Sequence, residues 1–261
     1  MLNRVVVSGI GGISAFGRDW ASIQTAFKQG RNAVQNMGWQ GQYPDLEAQL
    51  GAPVADYQAP EHWTRKQLRS MGRGTQMAVD AAEQALADAG LLGDERIRDG
   101  RMGVAAGSSV GSTKDVGVMG DLLLHGNSRQ FNANTYVRMM PHTVAANIGI
   151  FFGLTGRVIP TSSACTSGSQ GLGYAYEAIR SGRQLAMLAG GAEEQDSTGT
   201  AVFDGSAEAP VLRVARAEGG VRVIEADQYL IATGAAMALL LVLMQVGDGS
   251  GSDVLKSIGM A

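Results

Sequence analysis

The feature that most constrains this chain is a recurring pair: a short run of unbroken apolar residues, then small residues leading into a helical pattern. "RVVVSGI" at 4–10 runs into Gly11 and Gly12. "RMGVAAGSSVGST" at 101–113, "GRVIPTSSAC" at 156–165 and "QLAMLAGGAEE" at 184–194 follow the same plan. Runs this short read as strands, and runs without polar alternation read as strands covered on both faces. Helical patterns lie between them. "DWASIQTAFKQG" at 19–30 can be capped by Asp19 and ended by Gly30. Thr64 to Leu92 reads as one helix with Val79, Ala82, Leu86 and Ala89 along one face, closed by Gly90. Met140, Val144, Ile148 and Phe151 mark another face, with Pro141 tolerated in the first turn. Leu172, Ala175, Tyr176 and Ile179 mark a third. Residues 31–60 hold Gly38, Gly41, Pro44, Gly51, Pro53 and Pro60 and read as loop with short extended pieces. The alternation predicts an α/β fold: a mixed or parallel sheet with helices on both faces. No repeat and no domain boundary shows before about residue 205.

Composition narrows the function classes. Apolar residues make up 45% of the 261 and charged residues 17%, enough for a core and unlike a disordered chain. A net charge of −3 argues against a nucleic-acid binder that relies on general basicity. The single cysteine cannot form an internal disulfide. His62, His125 and His142 are scattered without metal-ligand spacing, so neither a metal nor another cofactor is expected. The N-terminus lacks a long apolar h-region, so no signal peptide is expected and a reducing cytoplasm fits. "YLIATGAAMALLLVLMQV" at 229–246 carries no charge over 18 residues. A membrane helix needs roughly 20 apolar residues. Thr233, Gly234 and the alanines dilute this stretch, which reads instead as two buried strands joined at Thr-Gly, or as one buried helix.

That single cysteine, Cys165, sits in "TSSACTSGSQ". A strand ending at Ala164 and a helix beginning at or just after Cys165 place the thiol beside unpaired backbone N–H groups and the positive end of a helix dipole. Both favour the thiolate, the form that attacks a thioester. Gly168, Gly171 and Gly173 follow, each costing a helix roughly 1 kcal/mol against Ala. They predict a need for room, for another backbone or a slender ligand. At this point a buried, inert structural cysteine stays open.

The surrounding residues resemble a known family. "IPTSSACTSGSQGLGYAYEAIRSGRQLAMLAGGAEE", "RVVVSGIGGISAFG", "RKQLRSMGRGTQMAVDAAEQALADAGL" and "GVAAGSSVGST" are similar, in order, to segments of the β-ketoacyl-acyl carrier protein synthases. The resemblance covers roughly residues 3–204. It implies the N-terminal half of a thiolase-like fold, over residues 1–246, with 247–261 a short tail, and a homodimer. It implies that Cys165 takes an acyl group from a carrier-protein thioester, with its own N–H in an oxyanion hole. Malonyl-carrier protein then decarboxylates, and its carbanion attacks the acyl-cysteine. By local motif Val110, in "GSSVGS", matches the residue beside the acyl pocket, and Phe203, in "TAVFDG", an aromatic gate. Arg65, Lys66, Arg69 and Arg73, within nine residues and free of acids, fall broadly on one helix face and suit an acidic acyl carrier protein.

The resemblance also has gaps. Family members use two histidines, one in an His-Gly-Thr segment and one near Asn-Phe-Gly-Phe-Gly-Gly; these 261 residues contain neither segment. His62, His125 and His142 are expected in structural or solvent roles. After Asp204 the expected Arg-Pro-Phe-Asp and Arg-Asp-Gly run is replaced by "GSAEAPVLRVARAEGGVRVIEADQ". Other readings follow: a non-catalytic carrier-binding or dimer-partner protein of the same fold, a cysteine hydrolase pairing Cys165 with His142, or thiolase-like use of coenzyme A esters.

Overall fold

The computed structural model describes residues 2–41 and 49–194, and the backbone of 211–216, 220–225 and 240–246. The elements run β1 Val5–Gly12, α1 Trp20–Lys28, β2 Gln35–Asn36, β3 Leu50–Gly51, α2 Arg65–Leu68 and α3 Arg73–Asp88. Then come β4 Met102–Gly107, α4 Thr113–His125, α5 Ala133–Arg138, α6 Thr143–Phe152, β5 Val158–Thr161, α7 Ser167–Arg180 and β6 Ala186–Gly191. Strands β7 Val211–Arg216, β8 Gly220–Glu225 and β9 Leu240–Val246 follow.

The main sheet has the order β1-β9-β6-β4-β5. Strand β4 pairs in parallel with both β5 and β6, while β9 is antiparallel to both β6 and β1. The sheet is therefore mixed, as expected. Side chains alternate across it. Met102, Val104 and Ala106 of β4, with Ala186 and Leu188 of β6, join the core under α3 and α6. Ala105, Met187 and Ala189 join the core under α7. Helices thus cover both faces, which explains why these strands read as unbroken apolar runs. Val79, Ala82 and Leu86 are fully buried, as is Ile148, so the two predicted helix faces hold.

Four details differ from expectation. The helix predicted over 64–92 is two helices. A capping box between Thr64 and Gln67 starts α2, and the chain turns extended at Gly72 (φ −69°, ψ 172°) before α3. Packing sets the break: a Cβ on Gly72 would lie 2.6 Å from the Ser112 Cβ. Strand β5 stops at Thr161, not Ala164; the chain then leaves the sheet for a turn whose left-handed residue is Ala164. Pro141 precedes α6 instead of entering its first turn. Tyr176 lies on the exposed side of α7, with Arg180 stacked 5.6 Å over its ring. Helices α4 and α5 carry local signals the apolar pattern did not reveal. Ser112 accepts from the Asp115 N–H, and Asn132 forms a capping box with Thr135.

Within "YLIATGAAMALLLVLMQV", residues 240–246 are strand β9, and 229–239 lie outside the described residues. So do Phe203 and the 247–261 tail. Among the described residues no helix is long and apolar enough to cross a membrane.

Helix α7 crosses the sheet at backbone contact. A Cβ on Gly171 would lie 2.5 Å from the Ala105 carbonyl oxygen and 3.0 Å from that of Gly190. Gly171→Val should cost about 1–3 kcal/mol by overpacking. Gly173, with nothing within 4 Å, should behave oppositely: Gly173→Ala should stabilise by about 0.5–1 kcal/mol through helix propensity. Urea unfolding of the two variants measures both.

Candidate active site

The carboxyl ends of three strands lie side by side. Gly107 at the end of β4 pairs with Thr161 of β5 and Gly191 of β6. The loops that follow leave the same edge: 108–112 carrying Val110, 162–166 carrying Cys165, and 192–194 ending in Glu193 and Glu194. In open α/β sheets ligands bind at this edge. Sheet register thus brings Val110 and Cys165, 55 positions apart in sequence, into neighbouring loops.

The cysteine loop is a tight elbow. Ala164 has φ +51°, the one non-glycine residue with positive φ among the described residues. Such a residue costs of order 1–2 kcal/mol. Hydroxyl groups hold it there. The Ser163 N–H donates to Ser167 Oγ (2.9 Å), which donates in turn to the Ala164 carbonyl (2.7 Å). Thr166 Oγ1 donates to the Ser163 carbonyl (2.7 Å), and Thr161 Oγ1 to the Ser167 carbonyl (2.8 Å). The run of Ser and Thr around the cysteine is therefore the scaffold of the turn.

Cys165 is free and exposed, two residues ahead of the first residue of α7. The cysteine is therefore not buried, contrary to that alternative. No side chain caps the start of α7; the Thr166 and Ser167 N–H groups there donate to the Ser163 (3.2 Å) and Ala164 (3.0 Å) carbonyls of the turn. The room expected of the glycines is real for two of them. A Cβ on Gly168 would lie 3.3 Å from the Gly191 nitrogen, and Gly171 meets Ala105 as described, but Gly173 faces open space.

The histidines stand apart. His62 lies 3.0 Å from Glu83 and His125 lies 3.0 Å from Asp121, both exposed. His142 is exposed at the start of α6. No hydrogen bond joins it to Cys165, so a Cys-His pair is not assembled among the described residues. Nor do these residues bring together a group of three or more His, Cys, Asp or Glu that could hold a metal.

The basic run divides at the helix break. Arg65, Lys66 and Arg69 are exposed. Arg73 is half-buried at the start of α3; its guanidinium donates to the carbonyls of Tyr57 (3.2 Å) and Val54 and lies 5.6 Å over the Tyr57 ring. The four do not share one helix face. The α3 N-terminus is tied to the site edge by Glu194, which the sequence reading passed over. This buried carboxylate accepts from the Gly74 N–H (2.8 Å) and from Thr113 Oγ1 (3.3 Å). The signal was present as an acidic pair leaving an apolar strand, "GGAEE".

A cysteine on a tight elbow at the carboxyl edge of a mixed sheet, in this order of elements, agrees with the family comparison. The profile of the β-ketoacyl synthase N-terminal domain matches residues 2–243. The chain belongs to the β-ketoacyl synthase family. It is 37% identical over 195 residues to nodulation protein E of Rhizobium leguminosarum bv. trifolii, covering 74% of this chain and 47% of that protein. It is 29% identical over 240 residues to 3-oxoacyl-[acyl-carrier-protein] synthase 2 of Vibrio cholerae, covering 91% and 57%. The crystal structure of a β-ketoacyl synthase from Burkholderia phymatum superposes with a TM-score of 0.76 at 40% identity, covering 99% of this chain and 62% of that one. The chain thus spans about half the length of the curated relatives it matches. Its fold is the ketosynthase fold over the N-terminal portion.

Within this synthase domain the elbow depends on Ser167. Ser167→Ala removes the acceptor for the Ser163 N–H and the donor to Ala164, and should cost about 1–3 kcal/mol. Iodoacetamide alkylation of Cys165 in folded protein should also change, because the left-handed turn is no longer tied. Urea unfolding and timed mass spectra measure the two effects.

Proposed function

We propose that this chain is the acyl-accepting portion of a 3-oxoacyl-acyl carrier protein synthase of lipid synthesis, with Cys165 as nucleophile. The observation that carries this reading is the exposed thiol on its elbow, ahead of an uncapped helix start. The Cys165 thiolate attacks the carbonyl carbon of an acyl thioester on the carrier's phosphopantetheine arm. The carbon–sulfur bond to the carrier breaks, and the carrier thiolate leaves and takes a proton. The acyl group remains on Cys165, and the Cys165 N–H is proposed to steady the oxyanion. Val110, half-buried in the adjacent loop, lines the acyl path, and Phe203 is proposed as its gate.

Condensation is the second stage. Malonyl-carrier protein loses carbon dioxide, its carbanion forms a carbon–carbon bond to the acyl carbon, and the Cys165 thiolate leaves. Family members support this stage with histidines from two segments that these 261 residues do not contain. A missing oxyanion donor alone costs about 2.7–4 kcal/mol. The chain by itself should therefore accept an acyl group and condense poorly.

The partner is an acidic acyl carrier protein. Exposed Arg65, Lys66 and Arg69 form its docking face, next to an α3 start that Glu194 fastens to the site edge. Arg73, tied to loop carbonyls, is left out of that face. A homodimer is proposed through α4 and α5, which pack on each other and expose Leu123 (75%), Leu124 (80%) and Tyr136 (51%). A free exposed thiol suits a reducing cytoplasm. Residues 1–246 are read as one domain.

Intact-mass spectrometry after incubation with acyl-carrier protein tests the central step. An acyl adduct is expected on the wild type and not on Cys165→Ala. No adduct on folded wild type sinks the nucleophile reading and leaves a non-catalytic carrier-binding protein. Charge reversal at Arg65, Lys66 and Arg69 should slow acylation by carrier thioesters, most at low salt, where the roughly 10 Å screening length at 0.1 M lengthens. Alkylation of Cys165 by iodoacetamide should stay unchanged in that variant.

A further inference from the structure

The two carboxylates that end the β6 segment do different things. Glu194 turns into the protein and fastens the start of α3. Glu193, half-buried, turns into the loop after β4. One of its oxygens accepts from Ser108 Oγ (3.1 Å) and the other from the Ser109 N–H (2.7 Å). Ser108 Oγ is itself the acceptor for the Gly111 N–H (3.1 Å). The loop Ser108–Gly111 is therefore wound around one carboxylate 84 or 85 positions away, and Val110 is held between its bonded residues. Gly111 completes the turn at φ +84°, where a Cβ would lie 2.7 Å from the Met139 carbonyl. The same strand end touches the cysteine helix: a Cβ on Gly191 would lie 2.9 Å from the Gly168 Cα.

We infer that Glu193 is a positioning residue that sets acyl chain-length selection, by fixing the Val110 loop against the Cys165 loop from the shared end of β6. This deepens the proposed function and rests on Cys165 and Val110 having the roles given there. Three features carry it. Both carboxylate oxygens are used, each on a different residue of the loop. The Ser108 hydroxyl gives its single proton to the carboxylate while its oxygen accepts from Gly111, so the two bonds together fix its direction. And Glu193 reaches the loop from a strand whose end is packed on α7, so the two loops share one anchor. Without the carboxylate the loop keeps its ends, in β4 and α4, but loses the two bonds just ahead of Val110, at Ser108 and Ser109.

The test uses reagents that need no carrier. N-ethyl and N-decyl iodoacetamide alkylate Cys165 by displacement of iodide by the thiolate, and their rate ratio reads the path beyond the thiol. Glu193→Ala should change the decyl-to-ethyl ratio by roughly tenfold, the scale on which an apolar pocket separates neighbouring chain lengths. The ethyl rate should stay as in the wild type. Glu193→Gln, which keeps one of the two acceptors, should fall between. Ile148→Val, in the core away from the loop, should lower the melting temperature and leave the ratio alone. An unchanged ratio in Glu193→Ala, or the same change in Ile148→Val, overturns the inference and leaves Glu193 a purely structural clamp. If Glu193→Ala does not fold, Glu193→Asp replaces it, since the shortened side chain cannot reach both donors, and its ratio decides on the same terms. A shifted ratio in a chain that no carrier thioester acylates would sink the carrier reading while the loop assignment stands.

Discussion

Where α7 crosses the sheet, backbone meets backbone, and the site depends on that contact. Gly168 lies against Gly191, and Gly171 against the Ala105 and Gly190 carbonyls. A side chain at either place would lift the helix, and with it the elbow that carries Cys165. The register of β4, β5 and β6 then aligns their carboxyl ends, so three loops converge. The glycines weaken α7 as an isolated helix. The packing they permit, with Ala175, Ile179, Met187 and Ala189 closed from water, offsets that loss.

Strain and its support are local at the elbow. Ala164 occupies a backbone region that an L-residue enters at a cost. Ser167 Oγ takes up the Ser163 N–H, and the hydroxyls of Thr166 and Ser167 add second bonds to the Ser163 and Ala164 carbonyls, which also accept from backbone N–H groups of the turn. This accounts for the composition of the segment without invoking catalysis. Among the described residues it also leaves the thiol exposed and without a hydrogen bond to a neighbouring side chain.

Long-range carboxylates do what local sequence cannot. The break between α2 and α3 has no proline, and the apolar pattern runs through it. The break is set by Ser112 packed against Gly72 and by Glu194 at the Gly74 N–H, a contact across 120 positions. That break removes Arg73 from the exposed basic face and ties it to the 54–57 loop. Buried Asp115 plays a comparable part, pairing with Arg138 to join α4 to α5, and this pairing raises the affinity of the guanidinium for its proton.

The sequence by itself determined the layered α/β plan, because unbroken apolar strands demand cover on both faces and the helix periods supplied it. It also determined where the exposed cysteine would fall, because a lone cysteine between a strand and a glycine-rich helix is a local pattern. Helices α4 and α5 were legible only in their caps, since their exposed faces lack a clear apolar stripe. The length of β5, the division of the basic run, the open surroundings of Gly173 and the grip of Glu193 on the Val110 loop were decided by tertiary structure. Each turns on a contact between residues distant in the chain, and such a contact leaves no periodicity for a sequence to show.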